Sequence, residues 1–374
     1  MKWWFLTFFF STFAWAQLTG QTDNEDAFFV KGIYNTALTQ GKSYEWLHHL
    51  STQIGGRLSG SPQAMAAVEF TKQMLDTLGL DSVWLQPCLV PHWVRGEKEQ
   101  VRIVNSSSLG SFDLNGVALG NSIGTGKFGI TAEVVEVQSL DELESLGEQK
   151  LTGKIVFFNR PMDATQLNTF AAYGGAADQR VFGPIRAAKL GAVAAIVRSL
   201  TTRLDGYPHT GSTMYDPKEK NIPALAISTN DAVRLSTLLA QEKVSIFIKT
   251  TCQHLSPKLS YNVIGEIKGK EKPEEIILVG GHLDSWDLGQ GAHDDGAGCV
   301  QAMEVLHLFK RLNYQPQRTI RCVLFMNEEN GQKGAMAYRD SSEVHKEFHL
   351  AAIESDAGGF TPRGFSCDGE TSIF

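Results

Sequence analysis

The stretch GGHLDSWDLGQGAHDDGAG, residues 280–298, follows directly on the apolar run Ile276-Ile277-Leu278-Val279. Because that run is short, rich in aliphatic side chains and bounded by glycine, it predicts a buried strand of a parallel sheet. Residues just beyond the carboxyl end of such a strand enter the crevice where open α/β sheets bind ligands. The polar side chains of this stretch are therefore expected to line a ligand-binding crevice.

Further apolar segments repeat the pattern along the chain. Residues Ala297–Leu312 carry apolar side chains at helical spacing, and strands are predicted over Thr319–Met326 and Leu350–Ile353. Strands that alternate with helices are typical of a mainly parallel sheet. The predicted fold class is α/β, with a mainly parallel mixed sheet flanked by helices.

Side chains of the types that bind metals follow all three strands or open the intervening helix: His282, Asp284, Asp294, Asp295, Glu328, Glu329 and Asp356. Carboxylates that converge in a crevice repel one another unless a cation or protons neutralise them. Imidazole nitrogen and carboxylate oxygen together suit zinc. The sequence therefore predicts a zinc site at the carboxyl ends of these strands.

Composition narrows the function classes. With 374 residues, of which 42% are hydrophobic and 20% charged, the chain can bury one large core and a smaller second one. The net charge of -7 is spread along the chain without a basic block. Neither nucleic acid nor an anionic membrane surface is therefore expected as a partner.

The amino-terminal residues have the pattern of a secretory signal peptide. Lys2 supplies the positive charge, Trp3–Phe13 the apolar stretch and Ala14-Trp15-Ala16 the cleavage site. The apolar stretch is shorter than the roughly 20 residues that span a bilayer. We expect residues 1–16 to be removed and the mature protein to be secreted or periplasmic.

The five cysteines are an odd number without close pairs, which predicts neither a zinc knuckle nor a dense disulfide framework. At most two disulfides are possible. Cys299 lies in a predicted helix and Cys322 in a predicted strand, so both are expected to be buried as small hydrophobic residues.

The remaining segments predict further helices and an inserted lobe. Helices are predicted from Tyr44 and from Ser61-Pro62 to about Leu80, where Ser61 would cap the helix and Pro62 would occupy its first position. Glycine-rich loops and short strand-like runs then indicate an inserted lobe. We predict a main unit in two segments, 17–117 and 257–374, with the β-rich lobe at 118–256 between them.

The motifs GGHLDS, GAHDDGAG, FMNEENGQKGA and ESDAGG together resemble those of the co-catalytic zinc exopeptidase family. That family includes secreted bacterial aminopeptidases, glutamate carboxypeptidase and the transferrin receptor ectodomain. The early stretch GGRLSGSP is similar to the family's Arg-Leu-x-Gly-Ser turn, and the lobe resembles the protease-associated domain that many members carry. The motifs are specific in combination, although any one alone is weak.

The resemblance implies a centre with two zinc ions. His282 and Asp356 would hold one ion, Glu329 would hold the other, and Asp294 would bridge both. Asp284 would orient the His282 imidazole through its carboxylate.

The resemblance also implies a mechanism in which the two metals activate a bridging water. Glu328 would be the general base that accepts the water's proton and then protonates the leaving amine. The family pattern further implies a cis peptide bond between Asp294 and Asp295.

One ligand of the family pattern has no counterpart. The second metal takes a further histidine from a loop well after the third acidic strand, and this sequence ends at Phe374, soon after Asp356. We expect the chain to be truncated at its carboxyl end and its second metal site to lack that ligand. The loop histidines His293 and His209 are expected to face solvent, with substrate contact as the alternative and, for His209, a homodimer contact.

Three functions remain open from the sequence. The first is a secreted zinc exopeptidase that hydrolyses dipeptides or short peptides. The second is glutaminyl cyclisation, which a single-zinc branch of this fold performs, and the third is a non-catalytic binding ectodomain. Which peptide terminus is selected also remains open, because Arg57, Arg180 and Arg186 are all available to pair with a substrate carboxylate.

Overall fold

The structure is a computed structural model that describes residues 25–362 and 364–369. The predicted signal peptide, residues 1–16, lies outside this part of the chain. Among the described residues, none of the helices combines the length and apolar character that crossing a bilayer requires.

Within the described residues, thirteen strands form two sheets. In chain order they are β1 (Ser82–Val94), β2 (Gln100–Ser106), β3 (Gly110–Asp113), β4 (Gly116–Ala118), β5 (Ile130–Val137), β6 (Ile155–Phe158), β7 (Ala194–Arg198), β8 (Ala224–Ile227), β9 (Ser245–Lys249), β10 (Gln253–Ile267), β11 (Lys272–His282), β12 (Arg318–Phe325) and β13 (Phe348–Glu354).

Helices flank these sheets. They are α1 (25–40), α2 (Ser43–His48), which continues as a π-helical turn His49–Ile54, α3 (Pro62–Asp76), α4 (Leu140–Leu151), α5 (Thr169–Val181), α6 (Gly183–Lys189), α7 (Thr229–Leu239), α8 (Ala297–Arg311) and α9 (Lys333–His345).

The first sheet carries the predicted zinc ligands. Its strand order is β1-β10-β12-β11-β13, with β11 parallel to both β12 and β13 and the other pairs antiparallel. Because the three parallel strands share one direction, their carboxyl ends meet at the same edge of the sheet. The predicted α/β class is confirmed, and the three strands expected to be parallel are so.

The core of this sheet lies under α3 and α8. Both helices turn aliphatic side chains onto the strands, including Val68 and Leu75 from α3 and Met303 and Leu306 from α8, all fully buried. Helix α3 begins at Pro62 as predicted but ends at Asp76, before the predicted Leu80. Gly79, at φ +67°, adopts the left-handed conformation that follows many helix ends.

The second sheet has the strand order β3-β2-β9-β5-β6-β7-β8-β4, in which β5 to β8 are parallel. Both of its faces are covered, since α7 packs on one side and α4 and α6 on the other. The continuous apolar run of β6 is fully buried, as expected for a strand between two helical layers. The sheet begins at Gln100, and the domain boundaries at 118 and 256 stay a prediction.

The cysteines are free thiols in the part of the chain that the structure describes. Cys88, Cys252, Cys299 and Cys322 are buried and Cys367 is exposed. The burial predicted for Cys299 and Cys322 is confirmed.

The hydroxyl of Ser61 caps α3 by accepting the N–H of Ala64 at 3.1 Å. We expect Ser61→Ala to lower the free energy of unfolding by about 1 kcal/mol, because an unpaired N–H is left at the helix start. Urea unfolding measures this. Ser145→Ala, at an exposed helical position, is the control and should change the free energy by less than about 0.5 kcal/mol. Equal stability of Ser61→Ala and the parent protein would contradict the cap.

Candidate metal centre

His282 is the last residue of β11 and stands at the centre of the site. Its side chain is 1% exposed, and its Nε2 lies 3.1 Å from Asp294 Oδ1 and 3.3 Å from Asp356 Oδ1. One ligand atom from each of these three residues lies within 4.8 Å of the other two. The structure thus brings together three of the four residues predicted to bind metal.

The other ring nitrogen of His282 faces the backbone. Nδ1 lies 3.0 Å from the carbonyl oxygen of Asp284, whereas the nearer carboxylate oxygen of Asp284 is 3.8 Å away. The carboxylate instead accepts the N–H of Glu328 at 2.9 Å. The carbonyl oxygen of Asp284 is thus the nearer contact of the imidazole and its carboxylate holds the Glu328 turn, while orientation of the ring by that carboxylate stays a prediction. Since a carbonyl only accepts, Nδ1 carries hydrogen and neutral His282 presents Nε2 as a ligand.

Asp295 is fully buried beneath the imidazole. Its carboxylate accepts the backbone N–H of His282 at 2.9 Å and that of Gly298, at the start of α8, at 3.0 Å. It thereby joins the end of β11 to the beginning of α8. The peptide bond between Asp294 and Asp295 is cis, so the prediction from the family pattern is confirmed.

Burial and crowding of negative charge set the electrostatics. Burial raises the pKa of Asp295 to about 8, and burial with the nearby charges of Asp294 and Asp284 raises that of Glu329 to about 9. Burial by itself disfavours the charged imidazole, but hydrogen bonds to Asp294 and Asp356 raise the pKa of His282 to about 12. The site therefore favours a positive charge at its centre.

Glu328 and Glu329 form the turn that follows β12. The carboxylate of Glu329 accepts a hydrogen bond from the backbone N–H of Trp286 at 3.2 Å. Glu329 is not in the described group of three residues whose ligand atoms lie within 4.8 Å of one another, so its role as a ligand stays a prediction. Glu328 is half-buried, and burial raises the pKa of its carboxyl group.

A divalent cation fits the three clustered side chains. Imidazole nitrogen with two carboxylate oxygens is a donor set for zinc, and a metal would bind His282 in its neutral form. The half-exposed carboxylates of Asp294 and Asp356 leave the centre open to the crevice, as a catalytic site requires.

Arg57 is fully buried and binds backbone rather than substrate. Its guanidinium donates to the carbonyl oxygens of Leu283 (2.5 Å), Gly291 (2.8 Å) and Gln290 (3.2 Å). These carbonyls belong to the loop between His282 and Asp294, so Arg57 fixes the path of that loop. This role has no signal in the sequence, because the bonds run to backbone atoms more than 200 positions away.

The other two arginines considered for substrate binding lie in the second sheet's helices. Arg186 in α6 pairs with Glu144 on the surface, and Arg180 in α5 hydrogen-bonds the Tyr173 hydroxyl. Of the two loop histidines, His293 is exposed and packs its ring against Phe360 at 4.7 Å between centroids. His209 is also exposed.

The second sheet reaches the metal loop through Trp286 and Asp287. The indole of Trp286 packs against Gly120 so closely that no Cβ would fit there. Arg95 donates to both carboxylate oxygens of Asp287 at 2.7 Å and also bonds Thr210. The loop that carries the site is therefore held from both sheets.

Comparisons with known proteins agree with this geometry. The model of peptidase family M28 matches residues 262–372. Carboxypeptidase Q of Homo sapiens is 39% identical over 347 residues, covering 91% of this chain and 70% of that protein. Carboxypeptidase Q of Bos taurus is 38% identical over 342 residues, covering 90% and 68%.

Two solved structures are also similar. A peptidase M28 precursor from Shewanella amazonensis has a TM-score of 0.84 at 35% identity, covering 90% of this chain and 75% of that one. A zinc aminopeptidase from Bacillus subtilis shares the fold, with a TM-score of 0.59 at 23% identity over 84% of this chain and 68% of that one.

The fold and the site define a metallopeptidase. The chain belongs to peptidase family M28, and the predicted enzyme class is confirmed.

We expect Arg57→Met to lower the free energy of unfolding by about 3 kcal/mol, because the carbonyls of the metal loop lose their donor in the protein interior. Chemical denaturation measures the loss. Arg186→Met is the control, since an exposed pair contributes little, and its effect should stay below about 0.5 kcal/mol. Similar stability of the two variants would show that Arg57 does not hold the loop.

Proposed function

We propose that this protein is a zinc-dependent exopeptidase that hydrolyses dipeptides or short peptides. The observation that carries the proposal is the approach of Asp294 and Asp356 to Nε2 of the buried His282, at 3.1 and 3.3 Å. The carboxypeptidase Q relatives support action at a peptide end. The signal-peptide pattern of residues 1–16 supports export of the enzyme.

The proposed metal ligands are His282, Asp294 and Asp356 for one zinc, with Asp294 and Glu329 contributing to a second. When bound, zinc supplies Lewis-acid chemistry: it polarises the peptide carbonyl and makes water more acidic. Burial, together with the nearby charges of Asp294 and Asp284, raises the pKa of Glu329, and this supports a second cation near it, since a positive charge would stabilise the ionised carboxylate.

Glu328 is the proposed general base. Its carboxylate accepts a proton from the attacking water and returns it to the amine nitrogen as the peptide bond breaks. Its raised pKa suits both transfers, because a carboxyl group with a higher pKa binds the proton more readily and still releases it to an amine. The bond from its N–H to Asp284 supports a fixed position for the turn.

We expect Glu328→Gln to lower kcat by about a hundredfold to ten-thousandfold with its zinc content unchanged, because the amide cannot accept the proton. The assay uses free dipeptides, with carboxy-blocked peptides and amino-acid nitroanilides for comparison. Glu343→Gln, on the exposed face of α9, is the matched control and should retain the parent kcat.

Near-parental turnover of Glu328→Gln at full zinc content would remove Glu328 from the mechanism. Release of a cyclised product from amino-terminal glutaminyl peptides, without hydrolysis of any dipeptide, would overturn the exopeptidase proposal in favour of cyclisation.

We expect zinc to raise the Tm of the metal-free protein, since a ligand that binds only the folded state stabilises it by about 2.7 kcal/mol at a hundred times its Kd. His282→Ala should lose most of this rise and bind less zinc. His345→Ala, an exposed histidine at the end of α9, should keep the full rise. An equal zinc-induced rise in both variants would place the metal elsewhere.

A further inference from the structure

The early turn Gly55–Gly60 reaches the Glu328–Glu329 turn through a second buried side chain, Ser59, which is 1% exposed. Its hydroxyl accepts the amide N–H of Asn327 at 2.7 Å and donates to the amide oxygen of Asn330 at 3.0 Å. A serine hydroxyl has one hydrogen to donate, and here it is used within the protein. Ser59 therefore has no hydrogen left for substrate.

The two asparagines bracket the two glutamates. The amide of Asn327 also donates to Asn330 at 2.6 Å, which closes the turn on itself. Asn327 has φ +71°, a left-handed conformation that asparagine tolerates better than most residues. Asn327 is fully buried and Asn330 is 8% exposed, so water competes little for these bonds.

The same network touches the second sheet. The amide nitrogen of Asn330 lies 3.4 Å from the amide oxygen of Asn121, just after β4, and Asn121 in turn donates to the Ser212 hydroxyl at 3.0 Å. The turn that carries Glu328 is thus bonded on one side to Ser59 and on the other to a loop of the second sheet.

We infer that Ser59 is a positioning residue for the general base, acting through Asn327 and Asn330 to hold the Glu328 turn against the metal centre. This inference rests on the proposed function, because it takes Glu328 as the group that moves the proton. A loss of position of about 1 Å at a reacting group can lower a rate by about a hundredfold.

The test is Ser59→Ala in the zinc-loaded full-length protein. We expect kcat to fall about tenfold to a hundredfold, with KM within threefold and zinc content unchanged. Hydrogen exchange of the backbone amides 327–334 in the metal-free protein should become faster, which reports the turn without any activity measurement. Ser61→Ala is the matched control, because it removes a hydroxyl hydrogen bond two residues away and lowers Tm. It should leave both kcat and the amide exchange of residues 327–334 unchanged.

A double-mutant cycle separates positioning of Glu328 from a general structural effect. In the Glu328→Gln background, Ser59→Ala should change the residual turnover by less than twofold, since the group it positions is already lost. The same fold loss in both backgrounds would overturn the inference. So would parental kcat and parental amide exchange in Ser59→Ala.

Failure of the proposed function gives a different result. If Glu328→Gln alone retains turnover, Glu328 is not the base, whatever Ser59→Ala does to amide exchange. Ser59→Thr, which keeps a hydroxyl, is the second variant and should restore kcat to within about threefold of the parent. A Ser59→Thr protein with parental Tm that is as slow as Ser59→Ala would also overturn the inference.

Discussion

The carboxyl groups gathered around the buried imidazole of His282 require a positive charge among them, and much of the surrounding structure serves that requirement. Asp294 and Asp356 approach Nε2 from the loop before α8 and from the end of β13. Asp295 is buried against the backbone and so is held without facing the crevice. The parallel direction of β11, β12 and β13 makes this gathering possible, because it puts three strand ends at one edge.

The structural role of the early motif GGRLSGSP becomes clear only from its contacts in the three-dimensional structure. Three alternate residues in it make three different bonds: Arg57 to the loop between His282 and Asp294, Ser59 to the asparagines around Glu328, and Ser61 to the start of α3. A short turn that leads into the core helix α3 therefore contacts both loops of the centre, on the side opposite to the contacts from the second sheet.

Sequence reasoning succeeded where a single rule links a local pattern of residues to a position in the fold. Apolar runs located β11, β12 and β13, and their shared direction predicted that the metal-binding types of side chain after them lie at one edge of the sheet. The resemblance to the zinc exopeptidases then singled out His282, Asp294 and Asp356 among those side chains. Sequence reasoning did not foresee that the carbonyl of Asp284 lies nearest to the ring, because the alternation of side chains holds only within a strand and β11 ends at His282. It could not find the contacts of Arg57, because side-chain bonds to distant carbonyls leave no periodic signal. Strand β1 has only a weak signal in the sequence, since its half-exposed side chains form no clear apolar run.

The contact between the two sheets has a consequence for the chemistry. The backbone N–H of Trp286 donates to the Glu329 carboxylate, while its indole packs against Gly120. The neighbouring Asp287 pairs with Arg95. A displacement of the second sheet would therefore move Trp286 and change the environment of the Glu329 carboxylate. Because these charged groups lie only a few ångströms apart, a small displacement of one of them changes the electric field at the metal centre more than a larger displacement of a distant group does. The second sheet is thus part of the wall of the centre and helps to determine its electrostatics.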